Sequence, residues 1–171
     1  IGEYQNALTG YSRAFDIIED LKDRRMLASA HEDVGKSFSL VGDFKQALPH
    51  FEDALKLYEK TEDPASQARV LNQIGQLYTR SGRTQLASQS LERALQVIHN
   101  SGQSEEQTRT LLHLGESSLA GGREQEALGY FNEALRMTRD LADAALEART
   151  LRHIGGVYVA VGETAQALEY Y

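Results

Sequence analysis

Three arginines stand at a fixed interval of forty residues in this chain: Arg69, Arg109 and Arg149. A guanidinium grips a carboxylate through two parallel hydrogen bonds and keeps its charge at any pH a protein meets. A row of such groups along one surface is suited to an acidic peptide. The alternative is that each arginine pairs with a nearby carboxylate of the chain itself, such as Glu62 or Glu105, in an ion pair of little energetic value.

Two histidines keep the same interval, His113 and His153, and imidazoles are common metal ligands. Packed helices lie about 8–10 Å apart, whereas a zinc ion needs each imidazole nitrogen at about 2 Å. The chain has no cysteine, no His-x-x-x-His motif and no carboxylate cluster that would complete a site, so we expect neither metal nor cofactor. It also lacks a Gly-x-Ser-x-Gly elbow, a phosphate-binding glycine loop and a His-Glu-x-x-His motif, so we expect no enzyme activity.

Composition narrows the classes of partner. The 171 residues carry a formal net charge of −7 at pH 7, which argues against nucleic acid and against an anionic membrane surface. Without cysteines, a reducing cytoplasm is the natural location. No apolar run is long enough to span a membrane, and no signal peptide is visible. The chain opens without methionine and stops inside a predicted helix, so we expect a fragment of a longer protein.

The arginine spacing belongs to a repeat that runs through the whole chain. Glycine recurs in two columns, Gly35, Gly75, Gly115 and Gly155, and then Gly42, Gly82, Gly122 and Gly162. Within each unit the apolar residues fall at three- to five-residue steps, which is the stripe of an amphipathic helix. The second glycine column interrupts this stripe, because glycine accepts the left-handed backbone that ends a helix. Each unit is therefore predicted to be a helix–turn–helix hairpin.

A fixed period of this size predicts an all-α solenoid of antiparallel helix hairpins. We expect one array over residues 1–171, with a partial repeat at 1–27, repeats at 28–67, 68–107 and 108–147, and a partial repeat at 148–171. The predicted helices are 3–21, 24–41, 44–60, 64–80, 84–99, 104–120, 124–140, 144–161 and 164–171. Thr84 and Ser104 are the expected N-caps, and Pro64 suits a first helical turn.

The columns around the glycines resemble the tetratricopeptide repeat. The matching residues are Gly35, Phe38, Gly42, Ala47, Phe51 and Ala54 in one unit, and Gly75, Tyr78, Gly82, Ala87, Leu91 and Ala94 in the next. Small residues at these positions let two helices cross closely. The forty-residue period, longer than the common form of ~34, is similar to that of Leu-Gly-Asn-type polarity adaptors and of several bacterial regulators. The resemblance implies a right-handed superhelix of about four repeats.

The resemblance also implies which residues meet a partner, since the first helix of each tetratricopeptide hairpin lines a concave groove. The candidate groove residues are Arg69, Arg109, Arg149, Arg152, Asn72, Gln73, Gln76, Leu112, His113, His153, Lys36 and Glu116. The related adaptors carry arginine at the matching place and use it on acidic ligands, so we expect the three equally spaced arginines to dominate capture. The amides suit the backbone of an extended peptide, and Leu112 would add an apolar contact.

We therefore expect a scaffold that binds a peptide or helix of a partner protein, an acidic one where the arginines engage it, as a regulatory or sensory module of a larger signalling protein. One alternative is that the groove holds another segment of the same full-length chain. A second is a self-association module, in which the uncapped terminal hairpins stack on another copy. Nothing in the sequence supports an enzyme.

Overall fold

The computed structural model describes residues 23–99, 101–102 and 104–171, together with Gly10, Phe15, Ile17 and Ile18. Most of the expected helix 3–21 and of the partial repeat 1–27 lies outside these residues. In the two long ranges the chain forms helices α1 (Arg24–Leu40), α2 (Phe44–Lys60), α3 (Pro64–Arg80), α4 (Thr84–Ile98), α5 (Ser104–Ala120), α6 (Glu124–Asp140), α7 (Ala144–Ala160) and α8 (Thr164–Tyr170). Their ends agree with the predicted ones within one residue, and the described residues include no strand.

The short connection between α1 and α2 shows how one helix is joined to the next. Gly42 has a φ of +81°, and its N–H donates to the Ser39 carbonyl at 3.2 Å. The N–H of Asp43 donates to the Phe38 carbonyl at 2.9 Å, so the last carbonyls of α1 are satisfied. The Asp43 carboxylate then accepts from the Gln46 N–H at 3.2 Å. One aspartate therefore closes α1 and caps α2.

This arrangement corrects the expected N-caps. The aspartates whose side chains cap a helix are Asp23, Asp43, Asp63 and Asp143. Thr84 is the first helical residue of α4, whose N-cap is Arg83 without a side-chain bond, and Ser104 is likewise the first residue of α5. At α4 the N-cap stands one residue earlier than expected, because Arg83 also closes α3: its N–H donates to the Tyr78 carbonyl at 2.8 Å. Pro64 lies in the first turn of α3, as predicted.

The first glycine column lies where the two helices of a hairpin cross. A Cβ built on Gly75 would lie 2.5 Å from Leu91 Cγ, closer than two carbon atoms approach. Gly35 and Gly115 meet the rings of Phe51 and Phe131 in the same way. Leu91 and both rings are fully buried, so the large side chain of the second helix fills the space that glycine leaves.

Packing between hairpins is asymmetric. Each helix packs on the next one along the chain, and the first helices of neighbouring hairpins also touch, in the pairs α1–α3, α3–α5 and α5–α7. The second helices α2, α4 and α6 do not approach one another so closely in the described chain, although an exposed ion pair joins Arg93 of α4 to Glu59 of α2. First helices thus lie on the inner side of the array and second helices spread on the outer side, which is the architecture of an α-solenoid.

Candidate partner-binding groove

A cavity of about 330 Å³ opens on the inner side of the array, lined only by residues of the first helices α1, α3, α5 and α7. Nine of the twelve candidate residues line it, and the exceptions are Leu112, Arg152 and His153. Glu106 also lines it and was not among the candidates. The lining holds four cationic side chains and two carboxylates, within a chain whose formal net charge is −7. We call this cavity the inner groove.

Arg69 forms the strongest ion pair of the inner groove, with Glu32 of the preceding first helix. Its Nε and Nη2 donate to the two carboxylate oxygens at 2.9 and 3.0 Å, and Glu32 is only 2% exposed. Lys36 Nζ lies 2.7 Å from Glu32 Oε1, and the Tyr58 hydroxyl donates to Oε2 at 3.2 Å. Arg69 is therefore held by a buried carboxylate of the chain itself.

The pKa values of this cluster follow from its contacts. Burial alone would raise the pKa of Glu32, but the hydrogen bonds from Arg69 and Lys36 outweigh it and leave the pKa below its ordinary value. The hydrogen bond to Glu32 raises the pKa of Arg69 in turn, against the effect of burial. Both groups stay charged near neutral pH, so the cluster forms a rigid wall of the inner groove.

Arg109 and Arg149 have weaker partners. The residue that corresponds to Glu32 is Asn72 one unit later and Leu112 two units later, so neither arginine meets a buried carboxylate there. Arg109 pairs instead with Glu105, four residues earlier on α5, and these two side chains are 50% and 61% exposed. Arg149 Nη2 lies 3.5 Å from Glu116 Oε1. Exposed pairs of this kind contribute about 0–1 kcal/mol, so either guanidinium can turn to a ligand at little cost.

The amides of the inner groove differ in the same way. Asn72 is 3% exposed, and its Nδ2 donates to Glu106 Oε1 at 2.7 Å and to Thr110 Oγ1 at 2.9 Å. Gln76 Nε2 lies 2.7 Å from His113 Nε2. Gln73 is half-buried and makes no hydrogen bond to a described residue. Asn72 and Gln76 thus hold first helices together, and Gln73 keeps an amide for a ligand backbone.

The Glu116 carboxylate lies close to both candidate histidines, His113 and His153. Its Oε2 lies 3.0 Å from His113 Nδ1, and its Oε1 lies 3.2 Å from His153 Nε2, without hydrogen-bond geometry in the second case. If the Gln76 amide donates to His113 Nε2, the His113 proton stands on Nδ1 and points to Glu116. Burial raises the pKa of Glu116, but the hydrogen bond from His113 and the nearby positive charges outweigh it, so the pKa is lowered. Burial lowers the pKa of His153.

The three remaining candidates lie elsewhere. Leu112 is fully buried in the core with Phe131, so the expectation that it offers apolar contact in the inner groove is wrong. His153 stacks on the Phe131 ring, with centroids 5.2 Å apart, behind Glu116. Arg152 is exposed and makes no ion pair with a described residue. In the described ranges, no group of three or more His, Cys, Asp or Glu side chains is placed to hold a metal ion.

Sequence reasoning missed the parts played by Glu32 and Glu106. Both belong to pairs that cross from one first helix to the next, Glu32 with Arg69 and Asn72 with Glu106, at separations of 37 and 34 residues. An acidic or amide residue followed at this distance by a complementary side chain was the available signal. The groove prediction considered each set of equivalent positions alone, whereas the contacts join one position of a unit to a different position of the next unit.

The family model described as tetratricopeptide repeat matches residues 1–60, 66–140 and 106–171, so the chain belongs to the tetratricopeptide repeat family. BtubC (BKLC) from P. vanneervenii is similar over 98% of this chain and 71% of its own, at 21% identity and a TM-score of 0.82. Aspartyl phosphate phosphatase F from Bacillus subtilis is similar over 98% of this chain and 44% of its own, at 16% identity and a TM-score of 0.88.

A Rap protein complexed with competence and sporulation factor is similar over 99% of this chain and 48% of its own, at 18% identity and a TM-score of 0.84. The chain thus spans less than half of two of these three proteins, and the likenesses establish the fold. A comparison with curated protein sequences finds no significant match. None of the described helices combines the length and the apolar character that crossing a membrane requires.

Proposed function

We propose that this chain is a protein-interaction scaffold that holds an acidic peptide or helix of a partner in the inner groove. The observation that carries the proposal is the difference among the three equally spaced arginines. Arg69 is paired with a buried carboxylate, whereas Arg109 and Arg149 have only exposed or long contacts. Two guanidiniums one repeat apart can therefore each take a ligand carboxylate, in charge-assisted bonds worth about 1.5–3 kcal/mol where water is excluded.

The rest of the inner groove fits an extended acidic ligand. Gln73 lies on α3, next to the helix that carries Arg109, and offers an amide that can both donate to and accept from a peptide backbone. Glu116 is the anionic neighbour of Arg149, so a ligand carboxylate must displace it from that contact. In this proposal the chain binds and presents a partner and performs no chemistry on it, as a regulatory or sensory module of a larger cytoplasmic signalling protein.

One similar structure supports the peptide interpretation. The Rap protein with competence and sporulation factor is a complex, and its fold covers almost all of this chain. A second candidate function is self-association through the last hairpin, favoured by exposed apolar side chains at Val159, Val161 and Leu168. Light scattering over a range of protein concentrations distinguishes the two, because only self-association makes the apparent mass grow with concentration.

The binding proposal is tested with a fluorescein-labelled hexaglutamate peptide, blocked at both ends, in anisotropy titrations at low and physiological salt. The double variant Arg109→Gln/Arg149→Gln should bind about a hundredfold more weakly or worse, because each of the two lost pairs is worth at least about the 1.4 kcal/mol of a tenfold change. The matched control is Lys60→Gln/Arg136→Gln, which removes the same charge from exposed sites on α2 and α6. Its affinity should match that of the parent chain.

Two results would reject the proposal. Unchanged affinity in the groove variant would mean that the arginines do not contact the peptide. Equal losses in the groove variant and in its control would mean that only net charge matters. Hexalysine provides the opposite probe, and binding of hexalysine as tight as that of hexaglutamate would also contradict an acidic ligand.

A further inference from the structure

A second and larger cavity lies on the side of the second helices. It measures about 750 Å³ and opens where α2 begins, beside the end of α3 and the connection to α4. Phe44, Leu48, Leu77 and Tyr78 form its apolar wall. A smaller cavity of about 260 Å³ shares Leu48 and Tyr78 with it and continues between α2 and α4. We call the two together the outer groove.

The next pair of hairpins shows how the chain closes the equivalent place. Forty residues on, Phe44, Leu48 and Leu77 are replaced by Thr84, Ser88 and Ser117. The Ser117 hydroxyl donates to the Thr84 carbonyl at 3.3 Å, which brings α5 against the start of α4. Arg123 then donates from Nη2 to Ser88 Oγ at 3.2 Å. Small polar residues and one arginine of the chain itself thus occupy this position.

In the outer groove the same closure cannot form. Arg83 is the counterpart of Arg123, but Leu48 stands where Ser88 would accept its hydrogen bond. Arg83 and Lys45 both line the larger cavity, and neither side chain makes a hydrogen bond or an ion pair with a described residue. The lining of the larger cavity contains one carboxylate, Asp43, which accepts from the Gln46 N–H as a helix cap, and Glu52 lines the smaller cavity. The outer groove therefore combines an apolar wall with two cations that lack a described partner.

The apolar wall is also held in place. The Arg80 guanidinium lies 5.2 Å from the centroid of the Phe44 ring, and its Nη1 donates to the Ser39 carbonyl at 3.1 Å. This cation–π contact orients the ring at the mouth of the cavity. Val41 lies beside it, 58% exposed. An apolar patch next to positive charge is the pattern of a docking surface whose partner carries the opposite charge.

We propose that the outer groove is a second docking surface for another protein, whose segment presents a large apolar side chain next to a carboxylate. The apolar side chain of the partner fills the cavity beside Phe44 and Leu48 and is thereby removed from water, and the carboxylate of the partner pairs with Arg83. The proposal goes beyond the function of the inner groove, since the inner groove and the outer groove share no lining residue. Each can therefore fail without the other.

The probe for this surface is 3-phenylpropionate, which joins one aromatic ring to one carboxylate, titrated into the whole chain labelled with ¹⁵N. We expect amide shifts concentrated at residues 41–48 and 77–83, with a dissociation constant in the millimolar range, which corresponds to about 4 kcal/mol of binding free energy. The uncharged amide of the same shape, 3-phenylpropanamide, should bind about fivefold more weakly, because it loses the charge-assisted pair with Arg83.

Three variants test whether the outer groove binds the probe. Arg83→Gln should abolish the preference for the acid over the amide, while Arg123→Gln, its counterpart one unit later, should preserve it. Phe44→Thr/Leu48→Ser, which copies the next unit, should remove the shifts at 41–48 and 77–83. Equal affinity of the parent chain for acid and amide, a preference that survives Arg83→Gln, or shifts concentrated outside the outer groove would each overturn the proposal. The single arginine variants keep the test valid should the double variant fail to fold.

Discussion

At the scale of single residues, the neighbour one repeat away decides what an arginine does. Glu32 loses its hydration on burial, and a buried carboxylate is tolerated only when paired and hydrogen-bonded. Arg69, Lys36 and Tyr58 supply these contacts. Arg109 and Arg149 occupy the same column but have no such buried carboxylate as a partner. The arginine of this column is therefore structural in one unit, whereas in the next two units its charge remains available to a ligand.

This difference predicts that the three arginines contribute unequally to stability. Arg69→Ala should lower the free energy of unfolding by about 2 kcal/mol, because it leaves Glu32 buried with fewer charged partners. The figure is moderate because Lys36 remains and the Arg69 side chain is 42% exposed. Arg109→Ala and Arg149→Ala should each change it by less than about 0.5 kcal/mol. Urea denaturation at neutral pH measures all three.

The control is Glu32→Gln/Arg69→Ala, which removes the buried charge together with its partner and should lose less than Arg69→Ala alone. Equal losses from the three single arginine variants would contradict the assignment of Arg69 to the wall of the groove.

The positions of the groove residues followed from the columns, but their pairing did not. The repeat and the family resemblance located nine residues of the inner groove, because equivalent positions on successive first helices share one side of the array. Which of these side chains already pair across first helices depends on contacts between residues 33 to 38 positions apart in the sequence, such as Glu116 with Arg149 and Glu32 with Arg69. Those contacts depend on side-chain length and rotamer, which a column of residue types does not specify.

At the scale of helices, the glycine that ends each first helix marks the boundaries in the sequence. Gly42, Gly82, Gly122 and Gly162 all have positive φ, and the helix ends were therefore predictable within one residue. The aspartate caps were not predictable in the same way. Helices begin every twenty residues, but an aspartate precedes only four of the described helices. Asp23, Asp63 and Asp143 share one forty-residue column, whereas Asp43 stands alone in the other, where Arg83, Arg123 and Glu163 replace it.

The connection between α6 and α7 contains a strained residue. Ala142 has a φ of +54° and stands where other connections carry glycine. A left-handed backbone costs an L-residue about 1–2 kcal/mol, of which the extra freedom of glycine in the unfolded chain offsets about 0.4–1 kcal/mol. Ala142→Gly should therefore raise the free energy of unfolding by about 0.5–1 kcal/mol, measured by urea denaturation. Gly122→Ala, the reverse change at an equivalent position, should lower it, and a loss from Ala142→Gly would contradict the strain.

At the scale of the whole molecule, stability should fall in two stages on acidification. Burial lowers the pKa of His50 and of His153 below the ordinary 6.5, so the unfolded chain takes up these protons first as the pH falls. Their contribution is complete above pH 6.5 and declines below it. Burial opposes but does not cancel the hydrogen bonds that lower the pKa of Glu32 and Glu116, so a second loss begins below about pH 4.5.

Urea denaturation at pH 7.5, 5.5 and 3.5 should show both losses. His50→Gln should reduce the loss between pH 7.5 and 5.5 relative to the parent chain, because the glutamine side chain does not titrate. A free energy of unfolding that stays constant from pH 7.5 to 5.5 would contradict the contribution of the buried histidines.

The uneven packing of the hairpins determines how the array bends. Bending that spreads the outer side separates second helices that are not closely packed on one another. In the described chain α2, α4 and α6 share no close backbone contact, and the ion pair of Arg93 with Glu59 that links α4 to α2 is exposed. The seam of first helices keeps its length during such a motion. The stiffness of the array is therefore directional: its curvature can change while the spacing of Arg109 and Arg149, which both lie on first helices, stays the same, so a ligand must match that spacing.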